Sequence, residues 1–389
     1  MNPSILLVGA ALFTWGIGEG MFFYFVPLYM QQFGASPIWI GSILGGFGFV
    51  MMCAHIPAGL LSDRLGRRPL LRLAWLIGMA AAWGMALAPS LPLFVTAYLF
   101  YGLTAFVSSP LFSYVTAARG ELSAGRVMTL TSAMYNLGAV IGPVSGGWLG
   151  DHFGLQSTFL GAALVFIPSV VLLFFLPPQP RETHDGDGGG WQLLSNRRFW
   201  GFLVLVFLTM FAMYLPQPLT PNFLQNERGV SFSQLGWIGS AGSLGNVLFN
   251  LGLGQLSPTL GFALGQACVG LFALLLWQGD ALPWYAAAYF LMGGYRAARM
   301  LVFAQVRWLI HQAQMGLAYG ITEAVNSSAV ILAPLLAGFL YDKDPASIYA
   351  WSLLLIALGV VLSLVFTPRS PSLPQHSPIP NPQPGDRHA

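Results

Sequence analysis

The chain has 389 residues, of which 56% are apolar and 7% charged, with 16 basic and 13 acidic side chains and a formal charge of +3. A soluble protein of this size needs about a quarter of its residues charged, so this composition excludes a soluble enzyme, a nucleic-acid binder and a disordered scaffold. A mean hydropathy of +0.67 leaves an integral membrane protein.

A helical span needs about 20 apolar residues, and the chain carries twelve such runs. The first six cover 5–28, 38–61, 70–88, 93–117, 127–149 and 158–176. The second six cover 199–223, 235–256, 262–277, 284–310, 316–340 and 348–366. Their length points to helices and away from a barrel, whose strands are about 10 residues long and alternate in polarity. No Lys or Arg precedes Arg64, so the first run reads as a retained helix and not as a signal peptide. Cys53 and Cys268 both sit in apolar runs and imply neither a disulfide nor a metal site.

Between runs six and seven lies the longest polar segment, with Pro177, Asp185, Asp187 and three consecutive glycines, 188–190. That is linker composition. The expected organisation is therefore an N-terminal six-helix bundle over 1–176, a cytoplasmic linker over 177–198, a C-terminal six-helix bundle over 199–367 and a disordered tail over 368–389. Basic residues set the orientation. With the N-terminus inside, 12 of the 16 fall in cytoplasmic segments, 2 (Arg228 and Lys343) fall outside, and Arg296 and Arg299 lie within the tenth run. Both termini are expected in the cytoplasm of a multi-pass plasma (inner) membrane protein.

The halves repeat. Gly34, Gly41, Gly59 and Gly66 recur as Gly229, Gly236, Gly254 and Gly261, each at an offset of 195. Pro27 matches Pro221, Asn136 matches Asn326, and Asp151 matches Asp342 at offsets of 194, 190 and 191. Two repeated bundles around a central cavity is an architecture of carriers.

After the second run stands Gly59-Leu-Leu-Ser-Asp63-Arg64-Leu-Gly66-Arg67-Arg68. It resembles the Gly-x-x-x-Asp-Arg-x-Gly-Arg-Arg signature loop of the major facilitator superfamily, in the position that family places it. The resemblance extends to twelve helices in two halves with a central linker. It implies that this cluster latches the outward-open state on the cytoplasmic side; positive-inside anchoring alone would explain the arginines but not Asp63 with both glycines. The second half keeps Gly254 and Gly261 but has Pro258 and Thr259 where Asp63 and Arg64 stand, so the latch would be one-sided. The fifth run carries Gly138, Gly142, Pro143, Gly146 and Gly147 in a pattern similar to that of the family's drug/proton antiporters. Physically, the proline bends the helix and the glycines give a smooth packing face. Tyr98 and Tyr101 stand near Gly102 where such exporters usually carry an arginine, so the substrate class does not transfer with the motif.

Ionisable groups at membrane depth cost at least about 2.5–3.5 kcal/mol on insertion scales and mark function. Four qualify: Glu19 on the first helix, Arg296 and Arg299 on the tenth and Glu323 on the eleventh. At a rise of about 1.5 Å per residue all four fall in one central band. Arg299 matches Glu323 in depth, and Glu19 could face Arg296 across the cavity. A carboxylate there would be balanced between desolvation, which favours its neutral form, and a nearby arginine, which favours its charge. Static ion pairing is the structural alternative. Tyr24, Tyr101, Asn136, Tyr214, Gln217, Tyr295 and Asn326 are the further cavity candidates. His55 reads as a packed residue. No metal cluster, phosphate loop or nucleophile elbow is present, so neither an enzyme nor a cofactor is expected.

The resulting expectation is a secondary active transporter working by alternating access, with proton-coupled efflux of small organic molecules and Glu19 as the proton site. A proton-coupled importer of a sugar or organic anion, a transport-inactive receptor and a lipid scramblase remain open. The expected partners are a small-molecule substrate, protons and the bilayer, with no nucleic acid and a monomeric state.

Overall fold

The structure is a computed structural model that describes residues 2–178, 196–310 and 315–367, without the side chains of 55–65, 109, 124–125 and 316. Most of the 177–198 linker and the 368–389 tail therefore lie outside the described residues. Among those described, helices and turns account for the regular structure. The first half holds α1 (Pro3–Phe23), α2 (Val26–Gln32), α3 (Pro37–Leu65), α4 (Arg67–Leu87), α5 (Leu91–Gly102), α6 (Ser108–Ala117), α7 (Ala124–Phe153) and α8 (Leu155–Phe174). The second holds α9 (Arg197–Tyr214), α10 (Thr220–Asn226), α11 (Phe232–Leu253), α12 (Pro258–Gln278), α13 (Leu282–Val306), α14 (Met315–Lys343) and α15 (Ser347–Phe366).

Among the described residues, ten helical stretches are long and apolar enough to cross a membrane. α11 and α13, of 22 and 25 residues, occupy the places of the eighth and tenth runs. Their apolarity is diluted by Gln234, Asn246 and Asn250 in one and by Arg296 and Arg299 in the other. Exposed apolar side chains mark the lipid face: α15 presents Leu354, Leu358, Val361, Leu364 and Val365 outward.

Three runs expected to be continuous are interrupted. The first breaks after Phe23 and restarts as α2, with Pro27 in its first turn. The seventh breaks between Tyr214 and Thr220 around Pro216 and Pro218, and α10 restarts with Pro221 in its first turn. Proline lacks the N–H that would continue the ladder and is tolerated at a helix start. The fourth run tightens into a 3₁₀ turn over Leu103–Val107 between α5 and α6. The signature motif is also less of a loop than expected. α3 runs through it to Leu65, and the turn falls on Gly66, whose φ of +84° favours glycine.

The helix ends define two faces. On one, Asn2 bonds the Ala118 carbonyl, Asn196 bonds that of Leu309, and Gln305 bonds that of Pro258; this is the termini face. On the opposite, far face the halves meet. α7 packs on α11, α3 packs on α14, and α2 touches α10. Phe25 meets Phe232 edge-on at 6.3 Å, and Tyr24 lies 5.9 Å from Tyr289, ring to ring.

Candidate functional site

Glycines bring α1 and α7 into backbone contact. A Cβ on Gly138, Gly142 or Gly146 would collide with the carbonyl oxygens of Phe13, Ile17 and Met21 in turn, and one on Gly16 would strike that of Tyr135. Residues four apart share a helix face, so this stripe sets the register of the two helices. In that register the Tyr135 hydroxyl donates to Glu19 Oε2 at 2.8 Å. The other face of the same motif meets the second half: Gly147 lies against the Phe232 backbone, and the Pro143 carbonyl lies against Gly236.

The rest of the Glu19 surroundings is aromatic. Trp15, one turn earlier on α1, stacks on Phe166 at 4.1 Å and on Tyr101 at 6.1 Å, and Phe22 meets Tyr101 edge-on at 5.3 Å. Trp75 closes the back at 5.1 Å from Trp15, and its indole N–H donates to Ser169 Oγ at 2.8 Å. Trp15 and Tyr101 both reach towards the Glu19 carboxylate. The Tyr101 hydroxyl is nevertheless buried without a hydrogen-bond partner.

The facing wall comes from α13, α9 and α14. Gly293 and Gly294 seat α13 directly on the backbones of α11 and α12 at Gly245 and Gly265. Arg296 is exposed on this helix and acts electrostatically on Glu19, Tyr24, Tyr135 and Tyr214. One turn on, Arg299 donates to Glu323 Oε1 in an ion pair whose side chains are 34% and 31% exposed. Tyr214 and Tyr295 pack ring to ring at 5.6 Å beside it. The halves are joined on the far face, and Arg296, Arg299 and Glu323 keep part of their surface uncovered between them.

The four intramembrane charges thus fall into two sets: Glu19 facing Arg296, and Arg299 bonded to Glu323. Tyr24, Tyr101, Tyr214 and Tyr295 lie around them. Asn136 instead bonds its own helix at the Ser132 carbonyl, 2.8 Å away, and Gln217 bonds the Met213 carbonyl at 2.7 Å near the helix break. Asn326 is buried with neither amide atom partnered. The side chains of His55, Gly59, Asp63 and Arg64 lie outside the described residues; Gly66, Arg67 and Arg68 follow at the turn. Among the described residues no cluster of His, Cys, Asp or Glu could hold a metal ion. Sequence reasoning missed Tyr135 and Trp15. The second was legible as an indole one helical turn from Glu19.

The family model of the Major Facilitator Superfamily matches residues 8–306 and again 207–384. The chain belongs to this superfamily. It is a multi-pass membrane transporter and not an enzyme. It is 27% identical over 376 residues to the multidrug resistance protein MdtG of Proteus mirabilis, covering 87% of this chain and 89% of that one. Its match to the MFS-type transporter MJ1560 of Methanocaldococcus jannaschii, at 25% identity, spans 45% of each. In fold it resembles the crystal structure of the nucleoside transporter NupG, with a TM-score of 0.78 at 14% identity over 94% of this chain and 98% of that one.

Proposed function

We propose that this transporter couples the movement of small organic molecules to protons, and that Glu19 carries the proton. The observation behind this reading is a carboxylate at membrane depth, held by Tyr135 at 2.8 Å within an aromatic nest and facing Arg296 across the cavity. Such a group is costly in a membrane unless it serves transport. Substrate and proton then act on one site, and alternating access carries each across in turn. Export is the direction that the name of the MdtG relative supports. The termini face is taken as cytoplasmic, which makes the described conformation inward-open.

A second reading is favoured by one feature. Arg296 is exposed in the cavity and has no ion-pair partner among the described residues. An organic anion that took up Arg296 would bind best with the facing Glu19 protonated, so anion and proton would travel together. A cationic substrate would instead expel the proton, which is exchange.

The sign is measurable. Purified protein in weak buffer is challenged with lipophilic cations, organic anions and sugars, beside Glu19→Gln. Proton release by the wild type, abolished in the variant, supports export by exchange. Proton uptake with anions supports the second reading. Ligand binding with an identical proton signal in Glu19→Gln removes Glu19 as the coupling site.

A further inference from the structure

On the far face the two halves are joined by three amides. Gln31, at the end of α2, accepts at Oε1 from Asn222 Nδ2 at 2.5 Å and from Asn226 Nδ2 at 3.2 Å. Its own Nε2 donates to Asn226 Oδ1 at 3.1 Å. Asn222 Nδ2 also lies 3.3 Å from the Pro27 carbonyl, and Asn226 Nδ2 lies 3.3 Å from the Tyr341 hydroxyl.

α2 and α10, seven residues each and each with a proline in its first turn, are the repeat-related elements that meet there. Val26–Gln32 corresponds to Thr220–Asn226 at the offset of 194 that also relates Pro27 to Pro221. Gln31 and Asn226 therefore stand within one residue of equivalent positions, so their contact lies close to the axis relating the halves, as contacts at the centre of an isologous interface do.

We infer that Gln31, Asn222 and Asn226 form the far-side gate of the transport cycle, bonded while that face is closed and parted each time it opens. The bonds from Asn222 and Asn226 to Gln31 and Pro27 join opposite halves, so rocking the halves apart on this face must break each of them, whereas the Asn226–Tyr341 bond stays within the second half. Asn222 is 2% exposed, so parting it from Gln31 also opens a buried polar contact to water. The clasp contains no charge, so salt screens it little. The arginine-rich turn at Gly66–Arg68, on the termini face, is of the opposite kind. This inference concerns the gate and stands apart from the proton site.

The test reads far-face distance directly. In a Cys53→Ala, Cys268→Ala background, spin labels are placed at Pro89→Cys and Asp280→Cys, in the two repeat-related far-face turns. The like-charged pair Gln31→Glu with Asn226→Asp is expected to add a longer distance component, raising the open fraction roughly tenfold. The opposite-charged pair Gln31→Glu with Asn226→Lys is expected to keep the closed distance. If both pairs stay closed, the clasp does not hold the gate. If both open, side-chain volume and not bonding holds it, and the inference is equally lost. Should the like-charged pair fail to fold, Gln31→Ala with Asn226→Ala gives the same reading, and an unchanged closed distance there overturns the gate.

Discussion

The two seams that join the halves are built from the same repeat and differ in the bonds that cross them. In the α7–α11 seam, Gly147 lies on the Phe232 backbone and Gly236 on the Pro143 carbonyl. In the α3–α14 seam, Gly338 lies on the Pro37 backbone and Gly41 on the Pro334 carbonyl. The register is identical: Gly147 and Gly338 are equivalent, as are Gly236 and Gly41. Four residues beyond each glycine stands an aspartate. Asp151 accepts from the backbone N–H groups of Phe232 at 3.0 Å and Ser233 at 2.8 Å, so one half caps the start of α11 in the other. Asp342 is exposed, and the residue equivalent to Phe232 is Pro37, which has no N–H to give. One seam is thus fixed by a charge on a helix N-terminus as well as by close packing, and its twin by close packing. Packing without bonds allows sliding, whereas the capped seam has a defined closed position.

Close packing is the shared element, so breaking it should have the largest effect and should not discriminate between seams. Gly236→Leu and Gly41→Leu each drive a side chain into a backbone carbonyl, which cannot give way. Overpacking of this kind costs about 1–3 kcal/mol, so the far-closed form should lose population roughly tenfold or more. Transport in proteoliposomes and the far-face distance should report it equally for both variants. A large effect for one and none for the other would mean that the seams are not equivalent in packing.

The cap should separate them. Asp151→Ala removes two charge-assisted bonds to a helix N-terminus, a loss of about 1 kcal/mol. The open fraction on the far face should rise roughly fivefold. Asp342→Ala should leave it unchanged within error. Equal shifts for the two aspartates would dissolve the distinction.

Much of this was legible in the sequence, and the reason is physical. A glycine that lets two backbones touch cannot be replaced cheaply, and the repeat ladder that relates the halves includes Gly41 and Gly236, which the structure places in the two seams. Gly34 and Gly229 served a different need at the same offset: both hold positive φ, at +86° and +64°. The pairing of Arg299 with Glu323 followed from helical rise. What one strand of sequence could not give was rotation about each helix axis. That is why the sequence points to Asn136 and not to its neighbour Tyr135, the residue that bonds Glu19. The breaks after Phe23 and Tyr214 were hidden for another reason, since apolar runs continue across them. The prolines at 27, 216, 218 and 221 were the available signal, and they create the short helices that carry the clasp.

The smallest effect is also the sharpest test, because it builds the missing interaction. Pro37→Ala returns an N–H to the start of α3, at the position where Phe232 supplies one to Asp151. Asp342 should then accept from residue 37 and from Ile38, as Asp151 does from Phe232 and Ser233. The gain is bounded below about 1 kcal/mol, since a proline in the first turn is itself favourable and is given up. The expected outcome is a modest fall in the far-open fraction, seen with the same spin-label pair. That fall should vanish when Asp342→Ala is added, a coupling that the double-mutant cycle isolates. A shift in Pro37→Ala that survives loss of Asp342 would show that backbone freedom and not a new cap was responsible. The asymmetry of the seams would then have to be sought in Ser240, whose hydroxyl donates to the Val140 carbonyl at 2.6 Å across α7 and α11.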